Sequence, residues 1–142
     1  MKEKVAAVVC AYNEGERIGN VLNILKKVKM LNEIIVVDDG SKDNTQKVAT
    51  SFKKIKFFRN EVNQGKAYSM DRGVRETDAE IIFFCDADLV GLTPKIVESI
   101  IQPVLDKKYD MYIGIRGESV IEEKISWVGL LSGERVIRRE LW

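Results

Sequence analysis

The chain has 142 residues, a hydrophobic fraction of 45%, a charged fraction of 32%, and 23 basic against 22 acidic residues for a net charge of +1. That length suits one domain burying roughly 68–70% of its unfolded surface. The balanced charge excludes a general pull toward nucleic acid, and no apolar run approaches the ~20 residues that span a bilayer.

Histidine is absent, which removes histidine triads, histidine general bases and the common zinc sites. Met1-Lys2-Glu3-Lys4 and the apolar run after it have the outline of a signal peptide. There is no small-residue cleavage site, however, and the run leads straight into Asn13-Glu14, so residues 5–11 read as a first strand. Cys10 and Cys85 both end apolar runs and read as two buried, reduced thiols of a cytosolic protein.

After a loop at Tyr12-Asn13-Glu14-Gly15, the spacing of Ile18, Val21, Leu22, Leu25 and Val28 predicts a helix. Lys26, Lys27 and Lys29 fall in its last turn, where cations suit the helix dipole. Residues 34–37 predict a second strand, ending in Asp38-Asp39-Gly40-Ser41. Ser41 or Asp43 is positioned to cap a helix carrying Val48, Ala49 and Phe52. Residues 55–58 predict a third strand. Gly65-Lys66 opens a helix that reaches Glu76.

Residues 81–85 are uninterrupted Ile, Phe and Cys, the pattern of a strand buried on both faces in a parallel sheet. Thr93-Pro94 has the order of a helix start, cap then proline, while Pro103 predicts a kink or an early stop. Residues 109–115 predict a fifth strand, and residues 119–142 read as helical in two pieces around Ser132-Gly133. Strand and helix alternate four times, which predicts one α/β domain of three layers, a mostly parallel sheet with helices on both faces.

Three of these strands end in polar clusters: Tyr12-Asn13-Glu14, Asp38-Asp39-Gly40-Ser41 and Asp86-Ala87-Asp88. In a parallel sheet the clusters share one rim, where open α/β sheets bind ligands. Two carboxylates as close as Asp86 and Asp88 repel each other unless a cation offsets them. Mg²⁺ or Mn²⁺ suits such a pair because it takes further oxygens from phosphate. Lys66 adds a cation at the same rim. The inventory fits a nucleoside diphosphate, with carboxylates for base and ribose, a metal and a lysine for the phosphates.

The segments Val8-Val9-Cys10-Ala11-Tyr12-Asn13-Glu14, Val36-Val37-Asp38-Asp39-Gly40-Ser41-Lys42-Asp43-Asn44-Thr45, Asn63-Gln64-Gly65-Lys66 and Asp86-Ala87-Asp88-Leu89 resemble, in order and separation, family 2 glycosyltransferases with the GT-A fold. The resemblance covers residues 5–90 and implies sugar transfer from a nucleoside-diphosphate sugar, UDP- or GDP-linked. By position it implies that Ala11, Tyr12, Glu14 and Asp39 surround base and ribose, that Lys66 approaches base and diphosphate, that Asp86 meets ribose, and that Asp86 and Asp88 hold Mg²⁺ or Mn²⁺.

Beyond residue 90, Gly114-Ile115-Arg116 and the segment 131–140 resemble the acceptor side of polyprenyl-phosphate glycosyltransferases and of glucosyl-3-phosphoglycerate synthase-like enzymes. That implies a phosphorylated acceptor, with polyprenyl phosphate as a candidate and Arg116, Arg135 and Arg138 as its binding residues. The implied role is in cell-envelope biosynthesis. Two departures stand out: the late histidine of many members is missing, and no downstream base is clear, so Glu118 and Glu134 are the candidates by default.

The expected organisation is a single domain over residues 1–142. Residues 1–90 form the donor half, and residues 91–142 form a partial acceptor half shortened at its C-terminus. Trp127 and Trp142, near Arg135, Arg138 and Arg139, suggest weak peripheral contact with the inner face of a membrane by an otherwise cytoplasmic protein; pairing of two chains through the last residues is the companion expectation. A non-catalytic sugar-nucleotide-binding module and a nucleotidyltransferase are the alternatives, the latter weakened by the absence of a Gly-rich first loop. A receiver domain is rejected because its acidic pair would follow the first strand.

Overall fold

The computed structural model describes residues 2–114 and 134–142. Six strands form one sheet in the order β3-β2-β1-β4-β6-β5: β1 Val5–Ala11, β2 Glu33–Asp38, β3 Lys56–Arg59, β4 Ile81–Asp86, β5 Met111–Ile113 and β6 Arg135–Arg138. The pairs β1–β2, β1–β4 and β2–β3 are parallel, whereas β6 runs antiparallel to both β4 and β5. The three-layer, mostly parallel architecture expected from the alternation is present.

The central strands need no polar face because helices cover both sides. Val5, Ala7, Val9, Ile81 and Phe83 face a core shared with α1 (Ile18–Leu25), α2 (Thr45–Thr50) and α4 (Pro94–Leu105). Ala6, Val8, Ile82 and Phe84 face a second core under α3 (Lys66–Arg75). Gly73 lets α3 settle onto β1, since a Cβ there would lie 2.3 Å from Val8 Cγ1. Cys10 packs against one core and Cys85 lies in the other, and both are free thiols.

Several local expectations change. Helix α1 stops at Leu25, so Lys26, Lys27 and Lys29 follow it instead of forming its last turn. Asn44, not Ser41 or Asp43, is the residue before α2. Thr93 does cap α4, accepting from the Ile96 N–H, and α4 continues through Pro103 to Leu105. The fifth strand is shorter than expected and lies at the edge of the sheet beside β6.

The largest correction lies near the end of the chain. Residues 135–138 are a strand and 139–141 a 3-10 turn, not helix. Val136 and Ile137 are β-branched and buried on opposite faces of the sheet. Pairing with the edge of β4 gives their backbone a ladder that a helix would not. Among the described residues no helix is long and apolar enough to cross a membrane.

Candidate active site

From β1 the chain goes to β2 and β3 on one side, then returns to place β4 on the other. The strand order therefore switches direction between β1 and β4, and a crevice opens beyond their carboxyl ends. The cavity there has a volume of about 350 Å³ and is lined by residues from all three polar clusters, Tyr12 and Glu14, Asp39, and Asp86 with Asp88, together with Lys66.

The rim loops hold one another through backbone groups. Asn13, at φ 54°, accepts the Lys42 N–H through Oδ1 at 2.8 Å and donates its own N–H to Ser41 Oγ at 2.8 Å. The Glu14 N–H meets Thr45 Oγ1 at 2.8 Å, and the Gly15 N–H meets Asp43 Oδ2 at 3.0 Å. The Asp43 carboxyl is held below its usual range by the Thr45 hydroxyl, with burial opposing and the Thr45 and Gly15 N–H groups adding. These side chains are thus spent on fixing the loops after β1 and β2.

The two adjacent aspartates at the end of β2 part company. Asp38 is fully buried and bonded to Arg59 and Ser41, a structural assignment. Asp39 lines the cavity. Its Oδ1 accepts from Asn60 Nδ2 at 2.7 Å and from the Gln64 N–H at 2.8 Å; its Oδ2 accepts from the Gly65 N–H at 2.8 Å. Burial pushes this carboxyl up, but Gln64, Asn60, Gly65 and Ser69 together hold it below the usual carboxylate range. It is an anion at neutral pH, and Oδ2 is the oxygen that a ligand N–H can share.

At the end of β4, Lys66 Nζ lies 2.5 Å from Asp86 Oδ1. Asp88 is exposed and makes no ion pair among the described residues. Glu14 is pushed up by burial, with Arg17 opposing and Asp88 adding. Its Oε2 lies 2.6 Å from its charge partner, Arg17 Nε. Among the described residues no three His, Cys, Asp or Glu side chains converge as a metal cage. Asp86 and Asp88 alone fit a hard cation that brings phosphate and water oxygens with it, and do not fit a fully protein-bound ion.

A family model described as glycosyl transferase family 2 matches residues 6–140. The chain belongs to glycosyl transferase family 2. It is similar to the protein MJ1222 of Methanocaldococcus jannaschii, 38% identical over 118 residues, 81% of this chain and 47% of that one. The poly-beta-1,6-N-acetyl-D-glucosamine synthase of Staphylococcus epidermidis is 36% identical over 92 residues, 62% of this chain and 22% of that one. The chain thus spans about half the length, or less, of these curated relatives. The glucosyl-3-phosphoglycerate synthase of Mycobacterium tuberculosis, crystallised with Mn²⁺, UDP and glucosyl-3-phosphoglycerate, superposes with a TM-score of 0.80 at 27% identity. That match covers 98% of this chain and 58% of the synthase.

The structure sorts the remaining expected residues. Ala11, Tyr12, Glu14, Asp39, Lys66, Asp86 and Asp88 meet at the cavity. Arg135 shares a narrow adjoining cleft with Lys66, Cys10 and Asp86. Buried Glu134 precedes Arg135 at the rim end of β6, where its carbonyl accepts the Gly114 N–H at 2.8 Å.

Arg138 is not at the rim. It sits opposite Ile81, at the amino end of β4, bonded to Glu3 at 2.8 Å and to the Val104 carbonyl at 3.1 Å. Arg116, Glu118 and Trp127 lie outside the described residues. Sequence reasoning passed over Cys10 and Ser69 as lining residues and Asn60 as a partner of Asp39. The one available signal for Ser69 was its position one turn after Lys66, on the same helix.

Proposed function

We propose that this domain transfers a sugar from a UDP- or GDP-linked donor to a phosphorylated acceptor. The observation that carries the reading is the convergence of Asp39, Lys66, Asp86 and Asp88 on one cavity at the switch between β1 and β4. Tyr12 and Asp39 take the base, Glu14 and Asp86 the ribose side, and Lys66 the diphosphate. Asp88, with Asp86, holds Mg²⁺ or Mn²⁺, which when bound offsets charge on the departing diphosphate.

Crystals of the similar synthase with UDP, phosphoglyceric acid, and Mn²⁺ or Mg²⁺ support this assignment. Arg135 takes the acceptor phosphate in this reading, supported by the cleft it shares with Lys66 and Asp86, and Glu134, the residue before it, is the base. The finer reading is a cytoplasmic enzyme of envelope synthesis that uses a lipid phosphate at the inner face of a membrane. Exposed Leu141 and Trp142 support that contact. The same C-terminal side chains suit pairing of two chains.

The test is calorimetry of UDP, GDP and ADP with Mn²⁺, followed by sugar transfer to phosphoglycerate and to polyprenyl phosphate on the same sample. Asp39 accepts a ring N–H that uracil and guanine offer and adenine does not. A charged hydrogen bond worth about 1.5–3 kcal/mol predicts at least a roughly tenfold preference over ADP, lost in Asp39→Ala. ADP as the tightest ligand overturns the base assignment. Tight UDP binding without transfer to either acceptor class makes the domain a binding module.

A further inference from the structure

Asn60 is buried, 4% exposed, and does not line the cavity. A buried primary amide must satisfy both of its ends. Its Nδ2 donates to Asp39 Oδ1 at 2.7 Å and to Ser69 Oγ at 3.0 Å. Its Oδ1 accepts from Arg72 Nη1 at 2.6 Å. A guanidinium has only donors, so Arg72 leaves the amide one orientation, oxygen toward α3 and nitrogen toward Asp39.

Arg72 is itself held from two sides. The same Nη1 donates to the Arg59 carbonyl at 2.7 Å, and the guanidinium lies 5.8 Å from the centre of the Phe58 ring. The loop between β3 and α3 is thereby fastened at both ends. Arg72 grips its start at Arg59 and Asn60, and Asp39 grips its end at the Gln64 and Gly65 N–H groups. Asn63 and Lys66, which line the cavity, sit on either side of that second grip.

We propose that Arg72, acting through Asn60, is a positioning residue for base selection: it holds the Asp39 carboxylate in the one orientation that presents Oδ2 to a ligand N–H. The inference rests on the reading of Asp39 as the base acceptor. The carboxylate can rotate about its own axis, and each donor on Oδ1 restricts that rotation. Without Arg72 the Asn60 oxygen loses its donor and the amide loses the contact that orients it, so the Asn60 donor on Asp39 Oδ1 weakens while Ser69 and the Gln64 and Gly65 N–H groups remain. Base discrimination falls first, because it depends on the angle of one hydrogen bond. Diphosphate binding, which uses Lys66 and the acidic pair Asp86 and Asp88 at the end of β4, is left in place.

The experiment compares Arg72→Met, Arg72→Lys and Asp39→Asn with the parent chain, all checked by circular dichroism at the working temperature. Calorimetry with Mn²⁺ gives affinities for UDP, ADP and pyrophosphate. Arg72→Met keeps an apolar stem over Phe58 and removes every donor. It is expected to lower the UDP-to-ADP preference roughly tenfold while pyrophosphate affinity stays within about twofold. Arg72→Lys restores one donor and recovers part of the preference.

Preference retained in Arg72→Met but lost in Asp39→Asn overturns the proposal and leaves the base reading standing. Preference retained in both overturns the base reading and the proposal with it. Equal weakening of UDP, ADP and pyrophosphate in Arg72→Met also overturns it, by assigning Arg72 to the general fold. Should Arg72→Met fail to fold, Asn60→Ser interrupts the same relay from its other end and is judged by the same three affinities.

Discussion

Glu3 and Asp110 meet Arg138 at the amino end of β4, and Asp86 meets Lys66 at the carboxyl end of the same strand. Arg138 is 12% exposed in its side chain, and its guanidinium reaches two carboxylates and the Val104 carbonyl. Lys66 is 46% exposed and holds one oxygen of Asp86, while Asp88 beside it holds no ion pair among the described residues. The two ends use similar charges for different ends. A planar fork with its donors spent is a fastening, whereas a flexible ammonium next to an unspent carboxylate can exchange its partner for a ligand.

The largest effect that tests this contrast is expected at the rim. Asp88→Asn should eliminate the gain in UDP affinity that Mn²⁺ brings, and leave the stability of the free protein within the ~0.5 kcal/mol typical of surface changes. Calorimetry with and without EDTA measures it. Unchanged Mn²⁺-dependent affinity in the variant would show that the pair at the end of β4 is not the metal's anchor.

At the other end the effect should appear in stability and not in binding. Arg138→Met should cost roughly 1.5–3 kcal/mol in chemical denaturation, the range for hydrogen bonds to charged groups, with UDP affinity unchanged. The hydrogen bond from Arg138 holds the Glu3 carboxyl below its usual range, with burial opposing. Its stabilisation is therefore full above the ordinary carboxylate pKa and lost as pH falls through the lower, folded value. Denaturation curves of parent and variant should converge in acid; a gap that persists there would place the cost in packing instead of charge.

The smallest effect has the opposite sign. Burial holds the Glu14 carboxyl above its usual range, so its charged form costs stability at neutral pH, and that cost disappears as pH falls through the raised value. Glu14→Gln should therefore stabilise the free protein at neutral pH by less than ~1 kcal/mol, and the difference should shrink toward acid. A variant less stable than the parent at neutral pH would mean that the contact with Arg17 outweighs the burial.

The amino-acid sequence determined the layers, the buried central strands and the gathering of the polar clusters at one rim. These follow from short-range pattern: unbroken apolar runs mark strands covered on both faces, and polar residues can appear only where such a run leaves the core. Tertiary structure alone decided how neighbouring identical residues were assigned. Asp38 and Asp39 look alike in sequence, but alternation along β2 and the arrival of Arg59 from β3 take the first as a structural anion and leave the second for the cavity. Arg135 and Arg138 likewise look like one basic cluster. Because the segment pairs antiparallel with β4, three residues of strand, roughly 10 Å, put one beside Lys66 and the other at the far end with Glu3. Neither outcome is legible locally, since the partner that decides each lies on another strand.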